Sequence, residues 1–379
     1  MLYRHSEPHS YHRDGSTTSL DTICSVMNVK ILQVADLVYV DNPVGSGFSY
    51  VDSEEALTTN VEQIGQDLLA WIRQFLVNHP EYRTRPFFVF CESYGGKMSA
   101  EFARVITQEV ATGNLRMDFR GVALGDSWIS AMDYVNTWGE YLYANSYLDT
   151  KQLARVNAQA NSCQKEVEQN QWARATTCWS NMEELIEAET SGVSWYNILK
   201  YGGQDDWSKK RRKRSLFSWK SPQFMRHVGA FQRDALSSYM DTTVRAKLGI
   251  IPDSVKFGAQ SNAVFNKQSG DFMKPNWDTV DGLLMNGTNV IVYNGNQDLI
   301  CDSIGTEKWM NRLQWPGMPS YNSARKIKVS TTSFPLAGFK KRFENLSFYM
   351  VLRAGHMVAY DTPEAAVEIV KQIVTDYSA

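Results

Sequence analysis

Histidine is scarce in this chain of 379 residues: His5, His9, His12, His79, His227 and His356 are all there are. A reaction that needs an imidazole therefore has few candidates. Outside the polar N-terminal stretch no two histidines share a metal-ligand spacing, so no metal is expected. Cysteine is also sparse, and five residues (Cys24, Cys91, Cys163, Cys178, Cys301) leave at least one unpaired. No run of 18 apolar residues occurs, which excludes a transmembrane helix. No apolar h-region follows Met1, so the sequence as written is not expected to enter the secretory pathway. The 39 basic and 41 acidic side chains leave a net charge of −2, with no bias toward nucleic acid or an anionic membrane. Internal repeats and low-complexity linkers are missing too. Gly45-Ser46-Gly47 is too short for a phosphate or dinucleotide loop and reads as a turn, so no cofactor is expected.

What is present suits a large folded enzyme: 43% hydrophobic residues, with 11 Trp, 18 Tyr and 17 Phe for a core and an aromatic cleft. The apolar run Phe87-Phe88-Val89-Phe90 breaks into Cys91-Glu92-Ser93-Tyr94-Gly95-Gly96, and a helical pattern follows from near Lys97. A serine on a sharp strand-to-helix turn needs small residues two positions to either side, and Cys91 and Gly95 supply them. The pattern predicts a nucleophile elbow with Ser93 above a sheet and the positive end of a helix aimed at it. Cys91 reads as a small buried filler rather than a reactive thiol.

Ser93 then needs a base and an orienting acid. His79 sits where Pro80 ends a helix, and His227 lies in a helical run beside Arg226; both read as structural. His5, His9 and His12 belong to a polar segment, residues 1–30, expected to be disordered. His356 stands in the loop after the apolar run Phe348–Leu352. Val290–Tyr293 predicts a buried strand, and Asn294-Gly295-Asn296-Gln297-Asp298 its turn, which places Asp298 at the strand's end. The chain order Ser93, Asp298, His356 is that of α/β-hydrolases.

The remaining pattern fits. Leu57, Val61, Ile64, Leu68, Ile72 and Phe75 recur at helical spacing, with Thr59 and Glu62 as a capping box. Residues 119–124 predict another strand, and Glu364–Tyr377 an amphipathic closing helix. The expected organisation is a hydrolase core of residues 31–140 and 275–379, with a mixed central sheet interrupted by a helical cap, residues 141–274. Within the cap, the basic run Lys209–Arg214 reads equally as an excision site, a nuclear signal or a plain exposed loop. Cys163 and Cys178 flank a short helical hairpin, and closing that loop would contribute about 3 kcal/mol in the chain-entropy model.

Five segments together resemble the serine carboxypeptidase family, and within it the retinoid-inducible branch. They are Asp36–Tyr50, Glu92-Ser93-Tyr94-Gly95-Gly96, Gly125-Asp126-Ser127-Trp128-Ile129-Ser130, Tyr293–Ile300 and Ala354-Gly355-His356-Met357-Val358. The similarity runs from about Leu32 to the C-terminus. It implies hydrolysis of the C-terminal peptide bond of peptides or proteins through an acyl-enzyme, with Tyr94 N–H as an oxyanion donor. It also implies that Glu92 recognises the substrate's terminal carboxylate. Two carboxyls share a short hydrogen bond only when one is protonated, which favours acidic pH; a structural elbow acid is the other reading of Glu92.

Family members carry a Gly-Gly-Pro-Gly-type loop upstream of the Asp41 motif, and none stands here. The second oxyanion donor and the first strands are therefore expected to be missing, as in a truncated or degenerate copy, and loss of one donor costs about 10²–10³ in rate. Two other functions share these residues: a non-catalytic binding protein of the same fold, and a serine acyltransferase or esterase. The sequons Asn286-Gly287-Thr288 and Asn345-Leu346-Ser347 fit a glycosylated, lysosomal or extracellular relative.

Overall fold

The computed structural model describes residues 31–200, 234–258 and 261–378. The N-terminal histidines, Cys24, the basic run at 209–214 and His227 lie outside the described residues. One mixed sheet contains β1 (Pro86–Ser93), β2 (Asp118–Ser127), β3 (Asn289–Gly295), β4 (Ile327–Val329), β5 (Gly338–Phe343) and β6 (Leu346–Val351). Their spatial order is β1-β2-β3-β6-β5-β4. The pairs β1–β2, β2–β3 and β3–β6 are parallel, while β5 and β4 pair antiparallel. Four parallel strands thus end on one edge of the sheet, where α/β proteins bind ligands.

The strands are continuous apolar runs because both sheet faces are covered. Side chains alternate across β2 and β3: Val122, Leu124, Val290 and Val292 enter one core cluster, whereas Ala123 and Ile291 enter another. The principal helices are α1 (Val61–Asn78), α2 (Gly95–Ala111), α3 (Thr150–Glu168), α4 (Trp172–Glu189), α5 (Trp277–Met285), α6 (Ser303–Met310) and α7 (Pro363–Tyr377). On one face, α7 packs Ala365, Ile369, Ile373 and Tyr377 against Tyr349 and Val351. Each such buried aliphatic side chain contributes about 1.5–3 kcal/mol.

Helix α1 presents Ile64, Leu68, Ile72 and Phe75 to Met98, Phe102 and Ile106 of α2. Its predicted cap is one residue out. Asn60 is the N-cap and accepts from Gln63 N at 2.9 Å, while Gln63 Oε1 accepts from Thr59 N at 2.8 Å. A side chain must reach a free N–H three residues on, and Asn60 with Gln63 meets that geometry where Thr59 with Glu62 does not. The segment Asp36–Val40 contributes only an isolated bridge at Tyr39, so β1 is an end strand of this sheet among the described residues.

Between 141 and 274 the described residues form helices and no strand. Helices α3 and α4 make a hairpin tied by the disulfide Cys163–Cys178, with Cα atoms 5.4 Å apart. Trp179, Met182 and Ile186 of α4 join the same apolar cluster as Val122 and Val292 of the sheet. The helical hairpin and the sheet therefore share a core.

Candidate active site

Strand β1 ends at Ser93, whose φ of 63° lies in the left-handed region. Holding a non-glycine residue there costs about 1–3 kcal/mol, so the surroundings must enforce it. They do: the Ser93 carbonyl accepts from Trp128 N at 2.9 Å, which ties the elbow to the end of β2. A Cβ on Gly95 would collide with Cys91 Sγ, and one on Gly96 with the Ser127 side chain. Small residues are therefore required where α2 leaves the turn. Cys91 fills the space beneath Gly95 but is half-buried rather than buried, and desolvation raises its thiol pKa.

Asp298 and His356 meet on the loops after β3 and β6. His356 Nδ1 lies 2.8 Å from Asp298 Oδ2, with His356 3% and Asp298 0% exposed. Backbone bonds join the two loops, Gln297 N to Ala354 O at 2.7 Å and Asn296 N to Val351 O at 2.9 Å. Gly295 makes that approach feasible, because a Cβ there would run into the carbonyls of Ala354 and Gly355. The predicted acid and base are thus brought together. Ser93 Oγ closes no hydrogen bond to the imidazole.

A third segment, Trp195–Lys200, had no signal in the sequence. Tyr196 O accepts from His356 N at 2.7 Å, and the Tyr196 ring stands edge-on to the imidazole at 5.2 Å. Trp195 O accepts from Leu299 N and Ile300 N just after Asp298. Asn197 and Lys200 both reach Asp361, whose carboxylate also accepts from Gly355 N at 2.8 Å. One stretch from the helical region therefore steadies both loops.

The electrostatics are unbalanced. Burial raises Glu92 to about 7; Asp298 and Asp361 push the same way, and His356 opposes them. Burial also lifts Asp126 well above the carboxylate range, assisted by Asp298 and Glu92. For His356, burial favours the neutral ring, but the charge and hydrogen bond of Asp298 and the charge of Glu92 outweigh it and raise the pKa. Asp298, Cys301 and His356 each bring one potential metal-ligand atom within 4.8 Å of the others, but Nδ1 and Oδ2 already bond each other.

On the other side of the elbow lies a second buried cluster. Lys97 Nζ donates to Asp271 O, Asp271 Oδ2 and Lys274 O at 2.8, 2.9 and 3.0 Å. Tyr94 OH donates to Asp271 Oδ2 at 2.8 Å and approaches Gln268 Oε1 at 3.1 Å. Gln268 Nε2 in turn holds Thr58 O at 2.7 Å. The elbow tyrosine is thereby anchored to a segment some 175 residues further along the chain.

The two sequon asparagines differ. Asn286, at the end of α5, is exposed, and its amide donates only to Gly282 O in its own helix. Asn345, between β5 and β6, donates to both Leu284 O and Thr288 O at 3.0 Å.

Comparison with known proteins matches this architecture. The serine carboxypeptidase family model covers residues 30–376. The retinoid-inducible serine carboxypeptidase of Mus musculus is 42% identical over 359 residues, spanning 93% of this chain and 78% of the mouse protein. Its Homo sapiens counterpart is 39% identical over 348 residues, or 90% of this chain and 76% of that one. The solved structure of Kex1Δp, a prohormone-processing carboxypeptidase from Saccharomyces cerevisiae, superposes with a TM-score of 0.70 at 21% identity. It covers 91% of this chain and 75% of its own, and it supports the α/β-hydrolase fold. With the elbow, the buried acid–imidazole pair and the matched length in agreement, the chain belongs to the serine carboxypeptidase family.

Proposed function

We propose that this chain removes C-terminal residues from peptides through an acyl-enzyme, with Ser93 as nucleophile, His356 as base and Asp298 as orienting acid. His356 Nε2 takes the Ser93 Oγ proton as oxygen attacks the scissile carbonyl carbon. The carbonyl oxygen becomes an oxyanion, accepted by the Tyr94 N–H at the positive end of α2. Collapse breaks the C–N bond, and the imidazolium returns its proton to the leaving amine. Water then attacks the ester by the same route, releases the acid and restores Ser93. Asp298 keeps the Nδ1–H tautomer and stabilises the imidazolium.

Glu92 would take the substrate's terminal carboxylate while protonated. Its pKa of about 7 extends that state over the whole acidic range, which favours an acidic lysosomal or extracellular setting. The cap helices would wall the peptide cleft. The observation that carries this reading is the 2.8 Å His356–Asp298 bond on the strand-end edge that also carries the left-handed Ser93.

Fluorophosphonate labelling tests it. The folded chain should label covalently at acidic and neutral pH, and Ser93→Ala should abolish the label. A well-folded chain that does not label would instead be a binding protein. Release of terminal residues from unblocked peptides, with none from C-terminally amidated ones, would separate a carboxypeptidase from an esterase or acyltransferase.

A further inference from the structure

Asp126, the last residue but one of β2, stands beside the acid–base pair, and the mechanism above gives it no task. It is 0% exposed, and its φ of 40° lies in the left-handed region, so the backbone is strained to aim this side chain inward. Oδ1 accepts from Gly295 N at 2.8 Å, within the turn that leads to Asp298. Oδ2 is buried with no protein donor among the described residues, and the Asp298 carboxyl lies within hydrogen-bonding reach of the side chain. An ionised carboxylate has only acceptors, so two carboxylates in this position leave Asp126 Oδ2 unsatisfied and their charges opposed. A proton on Asp126 removes one of the charges and turns that oxygen into a donor.

We propose that Asp126 is a positioning residue that keeps its proton and donates it as a hydrogen bond to Asp298, locking the acid that orients His356. The inference rests on the triad reading. Asp298 then accepts from His356 Nδ1 with Oδ2 and from Cys301 N at 3.3 Å with Oδ1, and Asp126 adds a donor. The titratable groups that face Asp126 are Asp298, Glu92, Cys301 and Tyr293, all of them acids. Burial keeps the proton in place, helped by the charges of Asp298 and Glu92, while the Cys301 thiol and the Tyr293 phenol, both raised, stay neutral.

The test uses the full chain as wild type, Asp126→Asn and Asp126→Ala. Asn keeps the acceptor for Gly295 N–H and replaces the acid O–H with an amide donor; Ala removes both. Difference infrared spectra of wild type minus Asp126→Asn are recorded without substrate at about pH 8, above the value to which Glu92 is raised. The expected result is a carboxylic-acid carbonyl band that moves in D2O. Carboxylate bands in its place overturn the proposal. In the pH profile of fluorophosphonate labelling, Asp126→Asn should stay within about threefold of wild type with its acid limb unmoved, while Asp126→Ala falls roughly 5- to 100-fold. A displaced acid limb in Asp126→Asn would mean that a negative charge had been removed and would overturn the proposal, as would equal labelling of all three chains. The infrared readout needs no turnover, so it remains decisive if Ser93→Ala still labels and the triad reading itself falls.

Discussion

Two buried charge clusters flank the elbow, and their balance differs. On one side Lys97 offers three N–H protons to three acceptors, with the Asp271 carboxylate as counter-charge. Every charge there has a partner without any proton being added. On the other side Glu92 and Asp298 face the imidazole of His356, and Asp126 adds a third carboxyl against Asp298 and Glu92. That cluster can be buried only if some carboxyls stay protonated, so its state follows pH. A balanced cluster holds parts in place. An acid-rich one stores protons.

The largest effect should come from unbalancing the first cluster. Lys97→Met leaves Asp271 buried without its cation, at a cost of about 3–5 kcal/mol in urea unfolding. Adding Asp271→Leu should recover much of that loss. A single-variant loss below about 1 kcal/mol would mean that the pair is not the clamp described, since removing one partner of a buried pair is ordinarily severe.

The second cluster should respond in pH dependence rather than stability at one pH. Wild-type kcat/KM should fall as pH rises through about 7, because ionised Glu92 repels the substrate carboxylate. Glu92→Gln should lose that alkaline limb. Its acid limb should hold its place, because Glu92 is already protonated in wild type below about 7. Linkage gives the matching sign for stability. The folded pKa of Glu92 is raised from 4.5 to about 7, so the folded chain retains a proton that the unfolded chain releases, and stability declines with rising pH across that window. His356 acts in the same direction, its contribution being present below its unfolded value of 6.5 and lost as pH rises through the raised folded one. Urea midpoints measured at several pH values should slope downward in wild type and less steeply in Glu92→Gln; parallel slopes would remove the protonated Glu92.

The smallest effect concerns the surface. Expressed through a eukaryotic secretory pathway, the chain should carry a glycan at Asn286 and none at Asn345, whose amide protons are committed to Leu284 O and Thr288 O. Asn286→Gln should remove the mobility shift on gels with little change in melting temperature, whereas Asn345→Gln should leave mobility unchanged. A shift lost in Asn345→Gln would reverse the assignment.

Much of the fold was legible because its signals are local. The apolar runs became β1, β2, β3 and β6, the helical periodicities became α1 and α7, and the paired Cys163 and Cys178 emerged on adjacent helices. The elbow could be read from Cys91 to Gly96, since the turn itself imposes small residues. The helix cap was misplaced by one position because Thr59 and Asn60 are both competent caps, and only backbone geometry chooses between them. Trp195–Lys200 carried no signal, for it works largely through backbone carbonyls that any sequence supplies. Asp126 lay in a recognised segment, yet its role depends on what is buried against it.

The linear chain by itself determined the strand-ending serine, the late histidine and the acid between them, together with the family to which they belong, because each rests on short-range patterning and chain order. Tertiary structure alone decided which ionisable groups share a low-dielectric space. Glu92, Asp126, Asp298 and His356 come from four strand ends, and the Lys97–Asp271 pair spans 174 positions. Charge interaction depends on distance in space and on the surrounding medium, neither of which is encoded by separation along the chain.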